Sequence, residues 1–391
     1  MKPLHIVLCA LALCLLVAAP GRVSAIDFYF VGPSGGDFFD SGNWNDQPTG
    51  LGAFLATPVV DAGTSLIEHS LVIDGDTVGA ATEVRFGMGS LLMDAGALLN
   101  VTGTTSGTLA FTFGPGGSFT MNNSALNVQN GASGQISLGS GSTSSFVGAT
   151  VTASDDIFFR GATSIVGSAF ESTGDDIELQ DSATFSAITG SSFFASSTGP
   201  GGDFDQFIIF QAPTIDITGS SFRGGLLGID GTTTTTVVAT DSTFDFAGDV
   251  ENAFASSSTG THLLTLAGTS TLVADQIEEG VALFLKDTTT ATFIDDTVDS
   301  DLDGWITSGA LVRLDSPQAR LVLQSAQNVS NASRVFNGVT STTYAATPQF
   351  FVPSGWNGSD AVTLSIVPEP SCLLLVVGFI GAVACCRRVG G

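Results

Sequence analysis

A short strand-like phrase returns through the middle of this chain, and a returning phrase with no helical period leaves few folds open. Six segments run through the same order of residue types: Asn123-Ser124-Ala125-Leu126, Gly148-Ala149-Thr150-Val151, Gly167-Ser168-Ala169-Phe170, Gly190-Ser191-Ser192-Phe193, Gly219-Ser220-Ser221-Phe222 and Asp241-Ser242-Thr243-Phe244. Their last residues stand 25, 19, 23, 29 and 22 positions apart. A second set recurs at 20 and 30: Asp155-Asp156-Ile157-Phe158-Phe159, Asp175-Asp176-Ile177-Glu178-Leu179 and Asp205-Gln206-Phe207-Ile208-Ile209-Phe210. Between 26 and 366, Val, Ile, Leu and Phe alternate with Gly, Ser, Thr and Asn in short runs broken by Gly-polar clusters, which is strand-and-turn patterning. A unit of this size cannot bury its apolar side alone and must stack on its neighbours.

The expectation is therefore an all-β chain, a right-handed parallel β-helix in which like residues sit one coil, about 4.8 Å, apart. Residues 97–345 would hold roughly ten coils in a rod of about 50 Å. Small or hydroxyl residues before an inward Phe or Val would turn the corner and form stacked ladders, and the aromatic would fill the core. The chain has 29 Phe but only two Tyr, which suits a core lined by rings without hydroxyls. A β-sandwich with chance similarity between segments is the rival fold.

The ends carry different signals. Residues 1–25 read as a secretory signal peptide: Lys2 and His5 at the start, an apolar run from Leu4 to Ala19, then Val23-Ser24-Ala25 as a small-residue cleavage site. Residues 26–96 are expected to form an N-terminal β cap and the first coils, 97–345 the β-helix repeats, and 346–366 a last strand and linker. Residues 28–45 would be the entering strand and cap, with Trp44 in the cap core; an aromatic carbohydrate platform through Trp44 is the alternative. At the far end, Val367-Pro368-Glu369-Pro370 is a stiff, accessible peptide. It precedes 16 apolar or small residues, Ser371 to Cys386, and then Arg387-Arg388. Sixteen helical residues span about 24 Å, slightly short of a bilayer core, with the two arginines on the cytoplasmic side.

This stacking of Pro-Glu-Pro, short membrane helix, Arg pair and terminal position resembles the PEP-CTERM sorting signal, also called the ice-binding protein C-terminal domain. The resemblance covers 367–391. It implies a bacterial envelope protein sorted by an exosortase, a membrane cysteine transpeptidase, with Val367, Pro368, Glu369, Pro370, Arg387 and Arg388 as the sorting and processing residues. It also implies an association with exopolysaccharide, and it gives an address rather than an activity. The opening Gly35-Gly36-Asp37-Phe38-Phe39-Asp40 and Gly42-Asn43-Trp44-Asn45 is similar to the Gly-x-Trp…Asn-Trp segments of secreted, autotransporter-like β-helical passengers, with Phe38 in place of the first tryptophan.

Cysteine and charge sharpen the partition. All five cysteines, Cys9, Cys14, Cys372, Cys385 and Cys386, lie in the terminal segments, so residues 26–370 offer no disulfide and no thiolate. Those residues hold seven cations against all 37 acids, a net charge of −30. Seven scattered cations so outnumbered by acids cannot neutralise a run of phosphates, which excludes nucleic acid as a partner.

Chemistry is sparse. His69, His262, Lys286, Tyr29 and Tyr344 are scattered, and no Ser-His-Asp spacing or H-E-x-x-H occurs. The pairs Asp155/Asp156 and Asp175/Asp176 are of the type a glycosidase uses, but their recurrence points to a turn or ladder role. Asp299-Ser300-Asp301-Leu302-Asp303-Gly304 resembles the first half of a calcium loop, in which alternating carboxylates converge on one hard cation. Ala310 stands where such a loop places its bidentate Glu, so Asp299, Asp301 and Asp303 are expected to bind calcium weakly; no other cofactor is implied. The run Thr232 to Thr236 occurs once and reads as a strand or turn of high β propensity. The expected function is an exported cell-surface or extracellular-matrix structural or adhesive protein. Its partners would be the exosortase, exopolysaccharide or other surface proteins, and the membrane through the C-terminal helix before processing. A glycosidase or lyase on the same scaffold is the alternative.

Overall fold

The computed structural model describes residues 26–55, 66–102, 110–129, 134–196, 206–252, 261–295, 305–306, 310–325, 339–340 and 362–365. Among them the only helical element is the 3-10 turn Ser41–Asn43, and none is long and apolar enough to cross a membrane. The rest is strand and turn, wound into a parallel β-solenoid of about nine turns.

Each full coil lays down three strands, one in each of three sheets that run the length of the rod. We name the sheets A, B and C, with 14, 13 and 8 strands. One coil shows the order: Ala162–Val166 in A, Ala169–Ser172 in B, Ile177–Leu179 in C. Strands of successive coils pair in parallel and in register. Leu126, Val151, Phe170, Phe193, Phe222 and Phe244 form one continuous row in sheet B. The row picked out by sequence recurrence is therefore a physical row, and the sandwich rival falls.

Strand alternation places every second side chain inside. In sheet B, Phe170, Phe193, Phe222 and Phe244 are 2% exposed or less and stack almost face to face. Their centroid separations are 5.2, 4.7 and 5.1 Å, with interplanar angles of 11°, 3° and 8°. The coil spacing sets those separations, so one ring per coil fills the core without a gap. Sheet C supplies the facing apolar row Phe111, Ile136, Ile157, Ile177, Ile208 and Leu227.

The second sequence family is corrected by one position. The register pairs Ile177 with Ile208 rather than with Phe207. That coil carries one more residue between sheets B and C than the alignment on Asp175 and Asp205 allows, and Asp205 lies outside the described residues.

The A–B corner explains the small residues of the repeat. Gly148, Gly167, Gly190 and Gly219 take φ of +61°, +58°, +59° and +58°, and Asn123 and Asp241 hold the same corner at +46° and +51°. This left-handed turn favours glycine and tolerates Asn or Asp. The next residue is a buried serine at five of these corners and the buried Ala149 after Gly148. The N–H of Ser168 donates to Ser191 Oγ at 3.1 Å, Ser191 to Ser220 at 3.2 Å, Ser220 to Ser242 at 3.2 Å and Ser242 to Ser270 at 3.0 Å. The hydroxyls in turn donate to carbonyls at the ends of the preceding sheet A strands, Ser191 Oγ to Thr189 O at 2.9 Å and Ser220 Oγ to Thr218 O at 3.0 Å. Corner amides have no place in either sheet's ladder, and the serine column satisfies them.

Both ends of the stack turn antiparallel. Trp44–Asn45 runs antiparallel on Asp27–Phe30, and Val362–Leu364 runs antiparallel on Arg320–Ser325. Trp44 is fully buried, makes edge contacts with Phe30 and Phe38, and donates its indole N–H to Phe38 O at 2.8 Å. It is core rather than a sugar platform.

Candidate functional site: the carboxylate corner

Aspartates gather where the chain passes from sheet B to sheet C. In one coil, Asp155 and Asp156 follow strand Thr150–Ala153 and precede strand Ile157–Phe159. In the next, Asp175 and Asp176 precede Ile177–Leu179. Like the serines, these residues meet amides that no strand ladder satisfies. Asp156 Oδ1 accepts from the N–H of Asp176 at 3.2 Å, and Asp176 Oδ1 accepts from the N–H of Phe207 at 2.6 Å. The Gln135 amide donates to Asp156 Oδ2. Ser172 braces the same corner: its hydroxyl donates to Asp155 O at 2.8 Å and accepts from the N–H of Asp175 at 3.2 Å.

The stacking crowds like charges. Burial, reinforced by Asp175, pushes the Asp156 carboxyl up to about 7. Burial again raises Asp176 to about 8, against the opposing Phe207 N–H bond. Asp155 and Glu178 are also raised, chiefly by desolvation. Arg160 is the cation acting on Glu178. Its guanidinium lies 4.5 Å above the Phe158 ring and donates to Gln180 Oε1. Further along the rod a second acidic group forms from Asp249, Glu251 and Glu278, with the Gln276 amide donating to Asp249 at 2.9 Å. Burial raises Asp249 to about 6.

In each triad, Asp155/Asp156/Asp175 and Asp249/Glu251/Glu278, one oxygen from every residue lies within 4.8 Å of the others. That is close enough for three carboxylates to meet one hard cation. Within the first triad Asp156 is already committed to the next coil's amide.

The other sequence-derived candidates distribute as follows. Asp299, Asp301 and Asp303 lie outside the described residues, as do Val367, Pro368, Glu369, Pro370, Arg387 and Arg388 and the segment 1–25. His69 meets Phe28 edge-on at 5.7 Å near the N-terminal end. His262 begins strand His262–Ala267 and Lys286 follows its neighbour Val281–Leu285, so the two sit at opposite ends of paired strands. Thr232 to Thr235 form a corner, and Thr236 opens strand Thr236–Thr240. The Asp249 triad escaped sequence reading because its members come from two coils; the only signal was the acid spacing Asp249, Glu251, Glu278 after an unremarkable Gly248.

Comparison with protein-family models, with curated proteins and with solved structures finds no match to this chain.

Proposed function

We propose that the chain is an exported structural or adhesive rod of the cell surface or extracellular matrix, delivered through an exosortase-type signal at 367–391. Its outer faces would contact exopolysaccharide or neighbouring surface proteins. One observation carries this reading: the polar side chains best placed for chemistry are spent joining coil to coil. Each hydroxyl of the Ser168–Ser270 column satisfies the preceding coil's amide, and the Asp156 and Asp176 carboxylates satisfy the next coil's. What remains outward is rows of hydroxyls, such as Ser192, Ser221, Thr243 and Thr271 along sheet B, which bind by repetition rather than at one centre. We take the winding to be right-handed, since parallel strands joined within one sheet cross over with that hand in nearly all proteins.

A second reading, a carbohydrate-active enzyme on the same scaffold, draws on the raised carboxyls of Asp156 and Asp176. Peptide mapping of the native C-terminus in separated membrane and extracellular fractions tests the first reading. A chain ending near Pro368-Glu369-Pro370 and lacking 371–391 supports it. Persistence of 371–391 in the membrane fraction makes that segment a plain anchor and removes the exosortase and the polysaccharide link. Release of reducing ends from acidic or neutral polysaccharide, lost on Asp155→Asn, would favour the enzyme.

A further inference from the structure

His262 has no exposed surface and stands at the start of its strand, where sheet A passes beneath the corner that leads out of sheet C. That corner, Asp230 to Thr235, is held at Thr232, whose N–H donates to the Asp181 carboxylate at 3.3 Å, and at Thr235. The Thr235 hydroxyl donates back to the carbonyls of Asp230 and of Gln211, the latter at 3.1 Å. The Thr235 N–H donates to His262 Nδ1 at 3.1 Å. A ring nitrogen that accepts a hydrogen bond carries no proton, so the imidazole is neutral with its proton on Nε2. Among the described residues neither that Nε2 nor the buried Asp230 Oδ1 has a hydrogen-bond partner.

We propose that His262 is a proton-controlled latch on the Asp230–Thr235 corner: the neutral ring holds the corner closed, and protonation of Nδ1 opens it by setting one N–H against another. The proton comes from solvent and returns there, and no other bond changes.

The surroundings set the sign. Burial lowers the His262 pKa, opposed by the smaller attraction of Asp230 and Asp181. Of the elements packed on the ring, strands Thr236–Thr240 and Val281–Leu285 carry no charge, and the turn before the latter brings Glu278 and Glu279. A base whose folded pKa is depressed takes up its proton first in the opened state. The corner is therefore closed above about pH 6.5, the ordinary histidine value, and loosens as pH falls below it. The carboxylate corner responds in the opposite direction, because its raised carboxyls are relieved by acid.

Hydrogen exchange read by mass spectrometry on the exported chain, at about pH 7.5 and pH 5 and corrected for intrinsic rates, separates the two. The expected result is about a tenfold loss of protection in peptides covering 230–236 at the lower pH, the scale of one opened hydrogen bond, while peptides covering 155–178 gain. His262→Asn places a non-titrating Oδ1 where Nδ1 stood, so its protection at 230–236 should be the same at both pH values. Nitrogen-15 spectra of the wild-type ring give a readout that does not depend on the variant folding, and should show the Nε2–H tautomer at pH 7.5. Equal protection of wild-type 230–236 at both pH values, or an Nδ1–H tautomer, overturns the proposal.

Discussion

Replacing Ser220 by alanine tests whether the serine column is a structural member or an accident of composition. Two hydrogen bonds disappear: the one accepted from the Ser191 N–H at 3.2 Å and the one donated to Thr218 O at 3.0 Å. The second loss is mild, because Thr218 O still accepts from the Gly190 N–H at 2.9 Å. The first is not. Ser191 is 3% exposed, so its N–H is left buried without a partner, which costs about 1–3 kcal/mol. The column above is untouched, since the residue 220 N–H still reaches Ser242 Oγ. A central value of about 2 kcal/mol corresponds to roughly 30-fold faster exchange of the Ser191 amide. Hydrogen exchange is the right assay because a solenoid opens locally, and a single global unfolding energy is poorly defined. Ser192→Ala, whose hydroxyl faces outward, is the control and should shift exchange by less than about 0.5 kcal/mol. If Ser220→Ala and Ser192→Ala are indistinguishable, the corner amides are satisfied some other way and the ladder explanation is wrong.

Three further outcomes follow from the same geometry. Asp156→Asn should stabilise the rod at pH 8, by on the order of 1 kcal/mol, and leave it unchanged at pH 3. The sign follows from carboxyls raised to about 7 at Asp156 and about 8 at Asp176: their contribution is whole below the ordinary carboxylate range and is lost as pH rises through those values. Chemical melts of both proteins at the two pH values check it. Phe222→Ala opens a void between rings 4.7 and 5.1 Å away and should cost about 3–5 kcal/mol, with exchange accelerated in the coils on either side. Gly190→Asn should be nearly neutral, since Asn123 holds the same corner at φ +46°, whereas Gly190→Val should cost more than about 1 kcal/mol by thermal melting.

How much of this was legible depends on how tightly the coil constrains each position. The A–B corner dictates a left-handed residue, then a small hydroxyl, then an inward apolar residue two places on. The type pattern therefore survives even where spacing varies from 19 to 29. The B–C passage has no such constraint and takes insertions, which is why Phe207 looked like the mate of Ile177 when Ile208 is. The sheet A row, Phe146, Ile165, Ile188, Ile217 and Ala239, keeps Ile in three successive coils but has no Gly-Ser corner immediately before it to mark it in the sequence. The paired aspartates were read correctly as ladder residues, but which of each pair turns to the backbone is settled only by strand phase. His262 could not be read at all: its meaning depends on Thr235 and Asp230, brought beside it by the coil repeat and by no motif.

The central claim is that successive corners of one face stack one coil apart. Spin labels on the outward sheet B row measure this directly, in a chain whose terminal cysteines are replaced so that the labels stand alone. Thr150 and Thr271 are five coil steps apart in register, and Thr77 and Thr271 eight. At about 4.8 Å per step the expected separations are about 24 and 38 Å, both narrow. Distances that do not scale with the number of coils, or broad distributions at either pair, would contradict the stacked rod.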